Sequence, residues 1–347
     1  MRTDDFIFDL PENLIAQYPS AERGQSRLMV IHRGSGRLEH RMVQDLPTLL
    51  ESGTLMVFNN SRVRRSRLFG VTEPEGKKAE FLLLKKVDEL SWRFISRRSR
   101  RLKPGSRYVF DDVGAEAKDG GEGDLVLRFD RPIDDAWLDI HGHVPLPPYI
   151  KRDDTNVDWE RYQTVYAGSY GSAAAPTAGL HFTEKLLEET EKAGLEKVFI
   201  TLHVGLGTFL PVRTENIEDH RMHGEEYFIG DEAASRIEKA RAEGRKILAV
   251  GTTSLRTMES AWTEGPPPGP RRGEGSTSIF IYPGYVFKAV DALFTNFHTP
   301  ASTLLMLVSA FASSGRSSGR DFILECYREA VKEGYRFFSY GDACLIL

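Results

Sequence analysis

The feature that most constrains the fold is a stretch from Ser61 to His143 in which the helical periodicity disappears. Short runs rich in aromatic and β-branched residues recur there about every ten residues. Turn-forming pairs such as Pro104–Gly105 and Gly120–Gly121 separate them. The runs are RLFGVT, KAEFLLLKKV, WRFISRR, RYVFDD and LVLRFD. Short strands at this spacing are typical of an antiparallel barrel or sandwich, so the sequence predicts a small antiparallel β-barrel.

On either side of this stretch, strands alternate with amphipathic helices. This alternation predicts an α/β layer built on a largely parallel sheet. The predicted strands are Arg27–His32, Thr54–Asn59, VFITLHV, KILAVGT, SIFIYP and ALFTNF. The predicted helices are Glu12–Gln17, Thr183–Gly194 with Thr183 as N-cap and Gly194 as C-cap, Asp231–Glu243, Ser254–Trp262, the apolar run Ala301–Ala312, and Asp321–Lys332.

The two patterns predict a discontinuous α/β main domain with an inserted small antiparallel β-barrel domain. We place the α/β domain at residues 1–60 plus 148–347 and the barrel at residues 61–147. Pro145-Leu-Pro-Pro148 suits the second boundary, because proline-rich segments are stiff and extended. Two segments rich in Gly, Pro or Ser, Glu264–Ser276 and Ser313–Arg320, are expected to be flexible loops or lids.

Composition excludes several classes of protein. With 347 residues and 40% apolar residues the chain is long enough for a sizeable core. The nearly apolar run Ala301–Ala312 is shorter than the roughly 20 residues of a membrane span, and Met1–Leu10 has no signal-peptide pattern. Two cysteines, Cys326 and Cys344, are too few for a disulfide framework or a thiolate metal site. We therefore expect a cytoplasmic protein without membrane contact.

Charge is concentrated in the predicted barrel. The segment Arg62–Arg107 carries fifteen Lys and Arg against five Asp and Glu, although the net charge of the whole chain is −4. Such a block is expected of a protein that contacts a polyanion. An alternative is a solvated strand face whose charges pair with the acidic segment Asp111–Asp139. Charge alone does not decide between the two.

Three loops with small residues follow predicted strands or precede predicted helices. Ser172–Thr183, SAAAPTAGLHFT, allows close backbone approach through Gly179 and ends at a helix N-terminus, so it is either a ligand cradle or an ordinary tight loop. His181 lies in this loop, at a position from which a general base reaches a ligand held there. Thr201–Phe209, TLHVGLGTF, carries His203, Gly205 and Gly207 but lacks the third glycine of a dinucleotide fingerprint.

The third loop is Val250-Gly-Thr-Thr-Ser-Leu-Arg256, a short polar turn into a helix. Its N–H groups and the hydroxyls of Thr252 and Thr253 are able to hold hydroxyls or a carboxylate, and Arg256 follows one helical turn later. Since ligands of α/β sheets bind at strand ends, the three loops together predict one ligand crevice.

Two further histidine-containing segments are candidates. His220 and His223 have a spacing that lets both bind Zn²⁺ with a third ligand such as Glu225, but no complete motif is present, and we predict no metal. His298, just before the apolar helix, is expected to be neutral because a helix N-terminus lowers the pKa of an imidazole. It is either part of the site or a buried, hydrogen-bonded histidine.

Several long motifs resemble those of the S-adenosylmethionine:tRNA ribosyltransferase-isomerase family of queuosine biosynthesis, and the resemblance runs from residue 6 to the C-terminus. The motifs are FDLPE with LIAQ, PLPPYI, YQTVY, AAPTAGLHFT, TLHVGLGTF, TNFH and YRFFSYGDA. The resemblance implies an α/β domain with an inserted β-barrel, which agrees with the layout above. The chain departs from the family in the basic segment Asn60–Arg67, and at Ala301, where a lysine is usual.

The resemblance also implies a function. The family is expected to transfer and isomerise the ribosyl moiety of S-adenosylmethionine onto 7-aminomethyl-7-deazaguanine at the wobble position of a tRNA with a GUN anticodon. The products are epoxyqueuosine-tRNA, adenine and methionine. No metal or redox cofactor is implied, since S-adenosylmethionine is consumed as a substrate, and we expect a monomer. The alternatives are a methyltransferase using the same donor, a non-catalytic RNA-binding module and a metal hydrolase.

From the matching motifs we predict the following roles. The catalytic candidates are His181 or His203 as proton shuttle, and Asp342 as partner of an ammonium or of the acceptor amine. The substrate-binding candidates are Gly179, Gly205, Gly207, Thr252, Thr253, Arg256 (for the methionine carboxylate) and His298. From the charge of the barrel we predict that tRNA is bound by Arg62, Arg67, Arg97, Arg98, Arg100 and Arg101.

Overall fold

A computed structural model describes residues 1–96, 102–121, 124–205 and 212–347. Over these ranges the strands are β1 Arg27–Ile31, β2 Leu38–Met42, β3 Leu55–Asn59, β4 Ser61–Val63, β5 Arg67–Glu73, β6 Lys78–Lys86, β7 Ser91–Ser96, β8 Arg107–Phe110, β9 Val113–Gly121, β10 Asp124–Phe129, β11 Ser169–Ser172, β12 Glu196–Leu202, β13 Glu225–Ile229, β14 Ile247–Val250, β15 Trp262–Thr263, β16 Gly269–Pro270, β17 Gly273–Thr277, β18 Ala292–Asn296 and β19 Ala343–Ile346.

The α-helices of the same ranges are α1 Leu46–Leu49, α2 Asp135–His141, α3 Asn156–Arg161, α4 Glu184–Lys192, α5 Asp231–Ala242, α6 Thr252–Ala261, α7 Thr303–Ala312 and α8 Gly319–Lys332. Thr183 caps α4 by accepting the N–H of Leu186, as its residue type predicts. A 3₁₀ turn, Thr177–His181, lies between β11 and α4 and becomes important for the site.

The main domain is built on a nine-stranded sheet with the order β17-β13-β12-β3-β14-β18-β19-β1-β2. At its centre β12, β3, β14 and β18 run parallel, so their carboxyl ends meet at one edge. The central strand β3 is buried on both faces. Because side chains alternate along a strand, Leu55 and Val57 join the core on one face, whereas Met56 and Phe58 join the core on the other.

Strands β5 to β10 form a closed antiparallel barrel with the order β10-β7-β6-β5-β8-β9. Its interior is filled by large side chains such as Phe81, Trp92, Phe110 and Phe129, each at most 2% exposed. Phe81 packs edge-on against Phe110 at 5.4 Å between ring centroids. The predicted fold class, an α/β domain with an inserted small antiparallel β-barrel, is therefore confirmed. The exact domain boundaries stay a prediction.

Four local predictions differ from the structure. Residues Glu12–Gln17 form only a 3₁₀ turn, Glu12–Leu14, after Pro11. Residues 278–283 form no strand; instead β17 ends at Thr277, whose Oγ1 accepts the N–H of Ile279 and turns the chain. The expected loop Glu264–Ser276 contains β16 and most of β17, which pairs antiparallel with β13. The sheet is also less parallel than predicted, because β19 runs antiparallel to β18.

Candidate active site

A cavity lies where the parallel strands of the sheet end, and it is formed by segments far apart in the chain. The space between its walls is about 730 Å³, including the solvent-facing mouth. Its walls combine the loops after β14 and β18, the small-residue loop before the 3₁₀ turn, and the segment before β19. The described lining residues are Tyr149, Tyr162, Ala174, Ala175, Pro176, Thr177, Ala178, Val204, Gly251, Thr252, Thr253, Thr295, Asn296, Phe297, His298, Thr299, Ser302, Leu304, Phe338 and Ser339.

The N-terminus of α6 forms one wall of the cavity. Gly251 precedes the helix with φ 92°, a conformation that glycine adopts at little cost, and it offers no side-chain cap. The first N–H groups of a helix have no partner within the helix, so those of α6 are available as donors. Thr252 and Thr253, both predicted for the site, line the cavity here. The Oγ1 of Thr253 accepts from Asn59 Nδ2 at 3.3 Å, which ties α6 to the end of β3.

Asn296, the last residue of β18, joins the cavity to His181. Its Nδ2 lies 3.0 Å from His181 Nε2 and donates to the carbonyl oxygen of Phe338 at 3.2 Å. Asn296 and His181 are 2% and 4% exposed. Burial lowers the pKa of His181 to about 3, helped by the positive charges of Arg336 and Arg23. His181 is therefore neutral at physiological pH.

His298 lines the cavity two residues after β18. Its Nε2 lies 2.9 Å from Thr295 Oγ1, and its backbone N–H donates to Tyr327 Oη at 3.1 Å. Burial lowers the pKa of His298 to about 3, so this imidazole is neutral as predicted. The cause is desolvation, and not the dipole of the following helix that was expected from the sequence.

His203 follows β12 and lies outside the lining of the cavity, although its neighbour Val204 is part of it. Its ring packs closely on Gly171, which has φ 138° and where a Cβ would lie 3.0 Å from His203 Nδ1. Among the described residues this buried Nδ1 has no hydrogen-bond partner. Burial lowers the pKa of His203, and the carboxylate of Glu226 opposes that effect.

Arg256 and Gly205 meet at Glu225. The N–H of Gly205 donates to Glu225 Oε1 at 3.0 Å, and Nη1 of Arg256 donates to Oε2 of the same carboxylate. Both charged side chains are almost fully buried, at 4% and 2% exposure. Two other guanidinium nitrogens of Arg256, Nε and Nη2, have no hydrogen-bond partner within the described part of the chain. Gly207, predicted to share this loop, lies outside the described residues.

Two other predicted site residues contact protein groups. Gly179 packs against Tyr166 and Thr164, and a Cβ at this position would overlap the Tyr166 hydroxyl. Asp342 accepts the backbone N–H of Arg27 at 3.0 Å and that of Arg336 at 2.8 Å. Neither residue is among the described lining of the cavity. Their predicted roles toward a substrate stay predictions.

Comparison with known proteins identifies the family. The profile of a family described as "Queuosine biosynthesis protein" matches residues 3–346. The chain belongs to this family. A relative from Treponema denticola is 51% identical, one from Desulfitobacterium hafniense is 49% identical, and each comparison covers 100% of both chains. Both are named S-adenosylmethionine:tRNA ribosyltransferase-isomerase.

A solved structure of a family relative supports the same assignment. The crystal structure of S-adenosylmethionine tRNA ribosyltransferase from Thermotoga maritima is 37% identical in sequence. The comparison covers 99% of this chain and 100% of that one, with a TM-score of 0.55. The resemblance inferred from the motifs is therefore confirmed over the whole chain.

The arginines predicted for tRNA binding fall into two groups. Arg62 lies over the ring of Tyr170, 4.5 Å from its centroid. Arg67 is 13% exposed and pairs with Glu80 at 2.9 Å, so much of its charge is already compensated. Arg97, Arg98, Arg100 and Arg101 lie outside the described residues. The role of all six in tRNA binding stays a prediction.

Asn296 was not predicted as a site residue in its own right, although the TNFH motif contains it. Nor were the aromatic walls formed by Tyr149, Tyr162 and Phe338. Phe338 has φ 73°, unusual for a residue with a Cβ. The motifs PLPPYI, YQTVY and YRFFSYGDA contain these aromatic residues. No local sequence pattern indicates that their side chains line the same cavity.

Within the described ranges, no group of three or more His, Cys, Asp and Glu side chains has a geometry able to hold a metal ion. His220 packs edge-on against Phe280, and Glu225 is engaged by Arg256. Among the helices of the described residues, none combines the length and apolar character that crossing a membrane requires.

Proposed function

We propose that this protein transfers and isomerises the ribosyl moiety of S-adenosylmethionine onto 7-aminomethyl-7-deazaguanine at the tRNA wobble position. The products would be epoxyqueuosine-tRNA, adenine and methionine, and the tRNA would carry a GUN anticodon. The proposal rests on one observation: the chain is similar along its full length to relatives that are named for this class of reaction. The identity to the Treponema denticola relative is 51%. A buried cavity at the strand ends, where two predicted loops meet, supports it.

The overall transfer balances without an oxidant or reductant. The acceptor amine forms a bond to the ribose-derived group and loses a proton. C5′ loses a second proton, the C5′–sulfur and glycosidic bonds break, and the isomerisation closes one additional bond within the ribose-derived group. Methionine leaves as a neutral thioether, and the departing adenine takes up one of the two protons while the other is released. We therefore propose that S-adenosylmethionine is consumed as a substrate and that the reaction uses no further cofactor.

The chemistry requires a base for the acidic C5′ proton beside the sulfonium. The sequence left His181 and His203 as alternatives, and we favour His203. The Nε2 of His181 is occupied by Asn296, and a group with a pKa near 3 is a weak base at neutral pH. By contrast His203 keeps Nδ1 without a partner among the described residues, beside the strand end that contributes Val204 to the cavity. For His181 we propose a positioning role through Asn296.

Water must be kept away while the sugar is rearranged, since it would compete with the acceptor amine. The cavity supports this requirement because its walls are largely apolar and the polar residues Thr295, Asn296 and His298 are buried. We propose that the protein acts as a monomer on one tRNA. We place the reaction in the cytoplasm, where its RNA substrate would be found.

The decisive experiment is incubation of the protein with S-adenosylmethionine and an anticodon stem-loop RNA that carries the aminomethyl base at the wobble position. We expect free adenine and methionine to appear in equal amounts, together with a mass increase of the RNA. A matched RNA with unmodified guanine at the wobble position should release no adenine. Formation of S-adenosylhomocysteine would instead indicate a methyltransferase, and RNA binding without donor turnover would indicate a binding module.

A further inference from the structure

The carboxamide of Asn296 has an orientation fixed by its neighbours. Its Nδ2 donates to the carbonyl oxygen of Phe338, an atom that only accepts. The same Nδ2 faces Nε2 of His181, whose neutral ring accepts this contact with its proton on Nδ1. If the amide were flipped, its oxygen would face the carbonyl oxygen of Phe338, and two acceptors would oppose each other. The side that remains for another partner is therefore Oδ1.

Oδ1 of Asn296 is buried and has no hydrogen-bond partner among the described residues. Leaving a buried acceptor unsatisfied is costly, and in native proteins such atoms call for an explanation. Asn296 belongs to the wall of the cavity. A ligand that brings an N–H or O–H group to this wall would satisfy the atom.

The walls of the cavity restrict which donor group fits. The described lining contains no Asp, Glu, Lys or Arg, and His298 is neutral. A buried ammonium group needs an opposite charge nearby, and these walls offer none. Tyr149 and Phe338 instead pack together, with ring centroids 4.6 Å apart. Such walls suit a flat, neutral and largely apolar group that carries a polar edge.

We propose that this cavity holds the adenine base of the donor, and that Asn296 Oδ1 accepts a hydrogen bond from its exocyclic amino group. The inference rests on the proposed function, because it names the part of S-adenosylmethionine that the cavity receives. The uncapped N-terminus of α6 supports it, since the N–H groups of Thr252 and Thr253 are suitable donors for a ring nitrogen of the base. His181 then acts as a positioning residue that holds the Asn296 carboxamide in this orientation.

The first test compares bases that differ only at C6, with the full chain and no other substrate. Adenine, purine without the amino group, and hypoxanthine are titrated into the protein by calorimetry. We expect purine to bind at least about tenfold more weakly than adenine, which is the effect of one lost hydrogen bond to a buried group. Hypoxanthine should bind more weakly still, because its oxygen would face Oδ1. Equal affinities for adenine and purine in the wild-type protein would overturn the inference.

The second test asks whether Asn296 causes this discrimination. In Asn296→Ala the ratio of the adenine and purine affinities should fall close to one. Asn216→Ala, at an exposed asparagine outside the cavity lining, should keep the wild-type ratio. An unchanged ratio in N296A would overturn the assignment of the contact. Should N296A fail to fold, the wild-type comparison alone decides.

A turnover experiment separates this inference from the proposed function. S-adenosylmethionine and its analogue lacking the 6-amino group are each supplied with the modified stem-loop RNA. We expect the analogue to react with a kcat/KM lowered at least about tenfold. Transfer of the sugar with no preference between the two donors would overturn the base site and leave the proposed function standing. Discrimination between free bases without any transfer to RNA would support the base site and overturn the proposed function.

Discussion

Nδ2 of Asn296 lies 3.0 Å from Nε2 of His181, and both side chains are shielded from solvent. Because the same Nδ2 donates to a backbone carbonyl, Nε2 of His181 must act as the acceptor. The imidazole therefore carries its proton on Nδ1 and is neutral. His298, on the same strand-end segment as Asn296, is buried and neutral too. The folded protein thus holds two histidines at the site that resist protonation.

Because these buried imidazoles stay neutral in the folded protein, we expect the free energy of unfolding to decrease at acidic pH. Burial lowers the pKa of His298 to about 3, whereas in the unfolded chain it titrates near 6.5. As the pH falls below about 6.5, His298 binds a proton in the unfolded state but not in the folded state. The free energy of unfolding therefore decreases. His298→Gln should reduce the slope of that free energy against pH by about 1.4 kcal/mol per pH unit between pH 5.5 and 4. Urea unfolding measures the slope, with exposed His223→Gln as control. An H298Q slope equal to that of the wild type would contradict the prediction.

A second prediction concerns Asp342, whose carboxylate accepts the backbone N–H groups of Arg27 and Arg336. Asp342→Ala leaves both donors without this partner and should lower the free energy of unfolding by roughly 2–4 kcal/mol. Asp342→Asn keeps one acceptor oxygen and should cost less. If Asp342 serves only to hydrogen-bond β1 to the segment before β19, both variants should retain the wild-type activity per folded molecule. A thousandfold loss of kcat in folded D342N would instead support the catalytic role that the family motif suggested.

A third prediction tests whether Gly179 shapes a ligand site or a packing contact. A Cβ at this position would overlap the Tyr166 hydroxyl and press on Thr164. Gly179→Ala should therefore destabilise the protein by about 1–3 kcal/mol through overpacking. Combining it with Tyr166→Phe, which removes the overlapping oxygen, should recover part of that loss. Thermal unfolding of the two single variants and the double variant measures this. A G179A protein of unchanged stability but with a raised KM for the donor would support a ligand role.

The parts of the fold that the sequence predicted are those set by local periodicity. Short runs rich in aromatic and β-branched residues, separated by turn residues, predict the barrel strands, and one of these runs forms Lys78–Lys86. Caps such as Thr183 locate a helix start for an equally local reason. By contrast residues 278–283 have strand composition but no strand partner. Pairing partners are set by tertiary packing, which a single run of residues does not encode.

The residues of the candidate site also fall into those that the sequence predicted and those that it did not. Thr252 and Thr253, which line the cavity, were predicted because they follow a strand whose carboxyl end lies at a ligand-binding edge. His298, which also lines the cavity, was singled out because it precedes the apolar helix. Asn296 was quoted within a motif but given no role, since its importance comes from His181 and Phe338, both distant in sequence. Which polar atom of a buried side chain is left without a partner depends on three-dimensional contacts. That information is available only from the structure.

A fourth prediction concerns the buried pair of Arg256 and Glu225. Glu225→Gln removes the negative charge that compensates the guanidinium, and breaking a buried pair from one side costs about 3–5 kcal/mol. The double variant Glu225→Gln with Arg256→Gln should recover much of that stability, because no charge remains buried. Chemical denaturation of the three variants measures the coupling between the two residues. If Arg256 also binds the methionine carboxylate, R256Q alone should raise the KM for S-adenosylmethionine. An unchanged KM in folded R256Q would argue against that role.

The last prediction follows from the concentration of basic residues in the barrel segment. Replacing Arg97, Arg98, Arg100 and Arg101 together by alanine should weaken tRNA binding if these side chains neutralise phosphates. Each phosphate contact contributes about 0.7–0.9 to the slope of log affinity against log salt concentration, so losing four contacts should flatten the slope by up to about 3.6. A variant with four exposed lysines of the main domain replaced, Lys185, Lys192, Lys239 and Lys332, has the same net charge and should keep the wild-type slope. Filter binding between 50 and 200 mM salt measures both variants. Equal slopes in the two would mean that the barrel contributes only general charge, and that tRNA is bound by another surface.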